Sequence, residues 1–193
     1  DVQFGEQYAY YIEAVHTSGL SSVSPLDTVG VRFPDEPGTF RMDWVSIRDN
    51  GQVEIRFTAD SASQVSHFRV LKKTDPASDY AELTILENTM QGSYLVEDLY
   101  PSTDTNQYYM VQALYQPEGC FNPVVVTESN VGTSIDLNSL FLDQVVQLNW
   151  TPYMEYATGL SGYIVQRRNG SGEFIDVATL GAGQTSWEER IET

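Results

Sequence analysis

The chain has 193 residues, room for one large or two small domains, and aromatics make up 12% of it, enough for compact cores. Ten basic against 27 acidic residues leave a net charge of −17, which argues against a nucleic-acid binder because that needs a basic face. No run of 18 apolar residues offers a membrane span.

The start, Asp1-Val2-Gln3-Phe4, has neither the basic opening nor the apolar stretch of a secretory leader, so it reads as the beginning of a piece of a longer protein. Tyr8, Tyr10, Ile12 and Ala14 then alternate with Ala9, Tyr11, Glu13 and Val15, a strand pattern with one buried face. His16 begins a turn. Phe33-Pro34-Asp35-Glu36-Pro37-Gly38 reads as a junction. Val53, Ile55 and Phe57 alternate with Glu54 and Arg56, preceded by the turn pair Asn50-Gly51. Gln107, Tyr109, Val111 and Ala113 repeat the opening alternation 99 residues later, which puts Tyr108, Met110, Gln112 and Leu114 on the face away from the core. Val146, Leu148 and Trp150 alternate with Gln147 and Asn149. Asn169-Gly170 is read as a second hairpin turn that needs positive φ. No helical period runs beyond about two turns.

One segment occurs twice. Ser66-His67-Phe68-Arg69-Val70-Leu71-Lys72-Lys73 matches Ser161-Gly162-Tyr163-Ile164-Val165-Gln166-Arg167-Arg168, 95 residues on: Ser, an aromatic two residues later, Val in the same place and two basic residues at the end. The match extends to Phe57-Thr58 with Trp150-Thr151, to Tyr80, Leu83 and Leu86 with Phe174, Val177 and Leu180, and to Ser93-Tyr94 with Ser186-Trp187. Self-similarity at such a period means serial modules. The expected division is the last strands of one module (1–33), a complete module (34–137) and the first strands of a third (138–193). About 100 residues with about seven short strands is the size of an immunoglobulin-like sandwich.

Tyr8-x-Tyr10-x-Ile12-x-Ala14 followed by Gly19-Leu20-Ser21-Ser22-Val23-Ser24-Pro25 resembles the last two strands of a fibronectin type III module. The resemblance implies an all-β chain of tandem fibronectin type III-like sandwiches, one complete and two partial. It implies that Tyr8 is the corner tyrosine, whose hydroxyl ties the strand to the loop before it. Gln107 stands at that position in the middle module, where its amide is the substitute. Trp150 with Tyr163-Ile164-Val165 is similar to the family's core pair. Cys120-Phe121-Asn122, Ser129-Asn130, Ile135-Asp136-Leu137, Trp150, Tyr153 and Gly159 resemble the fibronectin-type repeats of large Bacteroidetes surface proteins of the gliding-motility, type IX secretion kind, with Phe121 in place of a glycine. That resemblance implies a secreted or cell-surface location, associated with the outer membrane.

Chemistry is sparse. His16 and His67 are the only histidines and Cys120 the only cysteine, too few for the common zinc sites, and no Gly-x-Ser-x-Gly elbow gives a nucleophile. The acid pairs Asp35-Glu36, Glu97-Asp98 and Glu188-Glu189 read as charged surface. Asp35, Glu36, Asp136 and Asp143 at the junctions are candidate calcium ligands. Gly181-Ala182-Gly183 lacks the lysine and helix of a phosphate loop. No cofactor is expected. Asn149-Trp150-Thr151 and Asn169-Gly170-Ser171 fit the eukaryotic N-glycan acceptor, and Asn169 would carry the sugar if the chain were a receptor ectodomain. Asp27-Thr28-Val29 and Asp60-Ser61-Ala62 resemble the Bacteroidetes O-glycan acceptor, with Thr28 and Ser61 as the modified residues.

The expectation is a non-catalytic structural or adhesive repeat segment that spaces or displays other domains; the alternative is an accessory region of a secreted hydrolase, a protease or glycanase. A protein or glycan partner is not identified by the sequence. The partial modules should expose unpaired sheet edges, completed by another copy or by the rest of a longer chain.

Overall fold

In a computed structural model the described residues are 6–30, 34–101, 105–116, 122–154 and 159–191. Asp1 to Phe4, Phe33, Cys120 and Phe121 lie outside them. Among the described residues every regular element is a β-strand. The chain divides into two compact units, Asp1–Asp35 and Glu36–Thr193.

The first unit is a single bent hairpin. β1 (Gln7–Tyr10) pairs antiparallel with β4 (Asp27–Gly30), and β2 (Glu13–Val15) with β3 (Ser21–Val23). The bend is made by Ser24. Its Oγ accepts the Ile12 N–H at 2.9 Å and donates to the Pro25 carbonyl at 2.9 Å, while its own N–H donates to the Ile12 carbonyl. Gly19 closes the tip with φ +85, a left-handed conformation that a Cβ disfavours.

The second unit begins with a complete sandwich. One sheet has the order β5 (Phe40–Ile47), β6 (Val53–Ala59), β9 (Ser93–Asp98). The other runs β8 (Ala81–Glu87), β7 (His67–Lys73), β10 (Tyr108–Tyr115), β11 (Val124–Glu128), with β12 (Gly132–Thr133) continuing beside β10. All pairs are antiparallel. Three strands on four, with the chain crossing between sheets after β6, β8 and β9, is the fibronectin type III-like arrangement of the immunoglobulin-like sandwich. Period-two patterning fills the gap: Val53, Ile55 and Phe57 from one sheet meet Phe68, Val70, Tyr109, Val111 and Ala113 from the other, all at most 1% exposed. Each such side chain contributes roughly 1.5–3 kcal/mol of burial. Phe57 anchors the core, edge-on to Phe68 (centroids 5.3 Å apart, planes at 67°) and stacked on Tyr94. Gly132 sits where a Cβ would stand 2.6 Å from Val45 Cγ2 and 2.8 Å from Met42 Cγ, so β12 can lie against β5 only without a side chain there.

Two bulges fall on the strands outside the β7–β10 pair and leave the facing of that pair unchanged. The register of β10 against β11 shifts between Ala113 and Leu114, with the extra residue, Val126, on β11; β10 itself alternates unbroken against β7, so Leu114 keeps the outer face with Tyr108, Met110 and Gln112 and is fully buried there. A bulge puts two residues opposite one and breaks simple alternation. β8 does the same against β7, with Leu83 as the extra residue, while Leu71 stays on the face opposite Val70 and is buried there.

Five strands follow in the same unit. β13 (Leu137–Leu142), β14 (Val145–Trp150) and β17 (Ser186–Arg190) form one sheet, and β15 (Gly162–Arg168) with β16 (Phe174–Gly181) forms another. They take the places of β5, β6, β9, β7 and β8. Two turns depart from the sequence reading. At Asn169-Gly170 the positive φ falls on Gly172 (+88), because Asn169 Oδ1 accepts the Ser171 and Glu173 N–H groups and moves the left-handed residue to the end of the turn. β13 and β14 are joined by Asp143 (φ 51) and Gln144 (φ 65), the two-residue turn whose twist matches a hairpin, built without glycine. Gly51 carries the expected positive φ, at +79.

Candidate functional site

The groups with catalytic potential lie apart. His16 Nδ1 is 2.7 Å from Ser18 Oγ in the exposed turn, and His67 Nδ1 is 2.9 Å from Ser66 Oγ, which also accepts the Gln116 N–H. No three His, Cys, Asp or Glu side chains among the described residues gather closely enough to hold a metal ion. Of the acids considered for calcium, Asp143 is exposed in its turn, and the Asp136 backbone is tied on both sides to Thr151. A cleft of about 770 Å³ beside β5 is lined by Trp44, Arg48, Tyr153 and Tyr163, with no carboxylate among its described lining residues. Thr28 is exposed on β4, its N–H held by Asp27 Oδ1 at 2.9 Å. Ser61 is exposed in the turn after β6, where Asp60 Oδ1 caps the Ala62 N–H. The two belong to different units. Asn149 is exposed on β14, opposite Ser186.

The most structured polar feature is a buried trio. Asp98, at the end of β9 and 1% exposed, accepts the Tyr109 hydroxyl at 3.0 Å and the Lys72 ammonium at 2.8 Å on one oxygen, and the Tyr100 N–H at 3.1 Å on the other. Here Tyr109 ties its strand to the segment before it. Gln107, at the expected corner position, makes a shorter local bond, its Nε2 donating to the Thr105 carbonyl at 2.9 Å. Burial first, then the charge and hydrogen bond of Asp98, push the Tyr109 phenol far above its ordinary 10.0. Asp98 is therefore not surface charge, unlike the exposed Glu97 beside it. Tyr94, Val96 and Asp98 alternate, so the strand period itself points Asp98 inward.

The same devices recur 95 residues on. Trp150 meets Tyr163 edge-on at 5.4 Å and 66°, as Phe57 meets Phe68. The register of β15 against β16 shifts after Val165, as that of β7 shifts after Val70. Arg168 lies over the Phe174 ring at 4.8 Å, as Lys73 lies over Tyr80 at 4.6 Å. Arg167 pairs with Glu189 at 2.6 Å, as Lys72 pairs with Asp98. The basic dipeptide thus has two separate jobs: the first residue bridges to the opposite sheet, and the second covers the aromatic that starts the next strand. One correspondence fails. Ile55 faces Val96 and Leu148 faces Trp187, so Trp187 holds the place of Val96, not of Tyr94, and Glu189 that of Asp98. The matched Ser-aromatic pairs misled because both modules place Ser before an aromatic on this strand.

No family model and no curated protein matches the chain. Among solved structures it is similar to the chicken CNTN1 FN1-FN3 domains, at 13% identity and a TM-score of 0.33, over 98% of this chain and 67% of that one. The sandwich class rests on the strand order and register above.

The C-terminal five strands leave a face open. β15 is paired with β16 alone among the described residues. Beside it an apolar recess of about 170 Å³ is lined by Leu137, Leu148, Trp150, Tyr163 and Val165. The Trp150 indole N–H is buried there without a hydrogen-bond partner. Sequence reasoning missed the ion pairs because each joins residues distant in the chain.

Proposed function

We propose that the chain is a non-catalytic structural or adhesive repeat segment of a secreted or surface bacterial protein, which spaces or displays other domains. The observation that carries this reading is the junction after β12. The Tyr153 hydroxyl, in the segment after β14, meets the Val45 backbone, accepting its N–H at 3.0 Å and donating to its carbonyl at 3.4 Å. The Met154 N–H meets Thr133 Oγ1 at 3.3 Å, and Thr151 Oγ1 donates to Asn106 Oδ1 at 3.0 Å. Four side-chain bonds across a junction of a few residues hold successive sandwiches at a fixed angle, which suits a spacer. The net charge of −17 favours a soluble extended array. The Bacteroidetes location draws on the Cys120 to Asn122 and Trp150 to Gly159 resemblance, and with it Thr28 and Ser61 are the proposed O-glycan sites. Intact mass of native protein should show added hexose, lost in Thr28→Ala with Ser61→Ala; an unmodified mass removes that part.

Residual dipolar couplings test the spacer. Strands β5–β12 and β13–β17 should fit one alignment tensor in the monomeric chain, and Tyr153→Phe should split it into two. Two independent tensors in the unsubstituted protein would contradict the reading.

A further inference from the structure

We infer that Asn130 and Tyr153 close the free edge of β5 against strand addition by a second copy of this chain. The inference goes beyond the spacer reading and shares only Tyr153 with it.

Among the described residues β5 pairs with β6 alone, so its other side is a sheet edge. Alternate residues of such a strand turn N–H and C=O outward, a template for another strand. β5 has eight residues, against seven, six and five for β8, β9 and β11, the other strands that end a sheet of this sandwich. It therefore offers the longest template of the four. Every charged residue of β8, β9 and β11 is acidic, so two copies of any one of them repel. β5 carries both Arg41 and Asp43. Two β5 strands paired antiparallel about Met42 would set Arg41 of each copy across from Asp43 of the other, an attractive pairing.

Two side chains occupy that edge. Met42 and Val45 send their own side chains into the core and their backbone groups outward. They stand three residues apart because Asp43 is the extra residue of a bulge against β6. Asn130 Oδ1 accepts the Met42 N–H at 2.9 Å, and Asn130 Nδ2 donates to the Met42 carbonyl at 3.3 Å. At Val45 the Tyr153 hydroxyl accepts from the N–H and donates to the carbonyl in the same way. A carboxamide carries acceptor and donor side by side, as a peptide unit does, and a hydroxyl carries both on one atom. Each side chain thus takes the place of one rung of a neighbouring strand.

Neither contact is a by-product of a local turn. Asn130 lies 88 residues from Met42 in the chain, and Tyr153 lies 108 from Val45. Asn130 reaches the edge because Gly132, two residues on, lets β12 lie against β5, where a Cβ would stand 2.6 Å from Val45 Cγ2. Asn130 belongs to the sandwich that owns the edge, whereas Tyr153 arrives with the segment after β14. A second β5 has to displace both before it can pair about Met42, and that pairing would be isologous, the same strand contributed by each copy.

The test uses the 193-residue chain and combines Asn130→Leu, which keeps a side chain of similar size without polar atoms, with Tyr153→Phe, which removes only the hydroxyl. Asn130→Ala takes the place of the leucine variant if the latter does not unfold cooperatively. In light scattering the double variant should gain mass with concentration, with an apparent dissociation constant at least about tenfold lower than that of the unsubstituted chain or of either single variant. Amide exchange locates the contact. In the diluted double variant the Met42 and Val45 amides should exchange at least roughly tenfold faster than in the unsubstituted chain, and they should regain protection as the mass rises. A folded double variant that stays monomeric at high concentration would overturn the inference. So would a rise in mass that leaves the Met42 and Val45 amides unprotected, or an unsubstituted chain that associates as strongly as the double variant. Mass and exchange read the edge, whereas alignment tensors read the junction, so the two proposals fail separately.

Discussion

The sandwich of β5–β12 and the five strands of β13–β17 use the same parts with different results. Both have the edge-on aromatic pair, the bulge after the central valine, the cation over the ring and the ion pair across the sheets. In the first, Phe57, Phe68 and Val70 are fully buried; in the second the only buried apolar side chains among the described residues are Tyr163 and Val165, at 8% each. The contacts between neighbouring strands form in both regions, but exclusion of water is complete only in the first. Closure by the strand that carries Tyr109 converts a set of local contacts into a core.

Substitutions should expose that difference most strongly at the aromatic pair. Phe57→Ala removes a fully buried ring and should cost about 3–5 kcal/mol in urea unfolding; Trp150→Ala, half-buried beside the recess, should cost less than half as much. A similar loss at both sites would mean that the C-terminal strands have a closed core of their own.

The ion pairs should rank next. Asp98→Asn leaves the partly buried Lys72 facing a neutral amide and weakens the bond from Tyr109, at about 3 kcal/mol. Glu189→Gln, where Arg167 is half exposed, should cost below about 1 kcal/mol. Double-mutant cycles of Lys72 with Asp98 and of Arg167 with Glu189 measure the two couplings side by side.

The raised phenol of Tyr109 sets a pH dependence of known sign. A group that stays protonated longer when folded stabilises the fold below its ordinary value, near pH 10, and that contribution is lost as pH rises through it. The melting temperature should fall from about pH 10 upward, and Tyr109→Phe should flatten the part of the fall that belongs to the β5–β12 sandwich. An unchanged slope in the variant would place the titration elsewhere.

The smallest effect should come from the stacked cations. Lys73→Ala and Arg168→Ala should each cost about 0.5–1 kcal/mol or less, with little difference between modules, because neither contact depends on the missing neighbour.

Much of this was legible in the sequence. The strand periods and the 95-residue offset follow from residue spacing alone, because side chains in a strand alternate faces. The burial of Leu71 and Leu114 was not, since both lie on the outer face and a two-residue period does not say what covers that face. Asp98 was discounted for its acidic neighbour Glu97, although its place two residues after Val96 pointed inward. The Trp187 alignment required the register, which only the paired strand supplies.

Amide exchange of β7 and β15, measured side by side at a dilution where the chain is monomeric, tests the account most directly. β7, paired on both edges, should exchange near the global unfolding limit, and the alternate amides of β15 that face away from β16 at least roughly a hundredfold faster. Equal protection of the two strands in the monomer would contradict it.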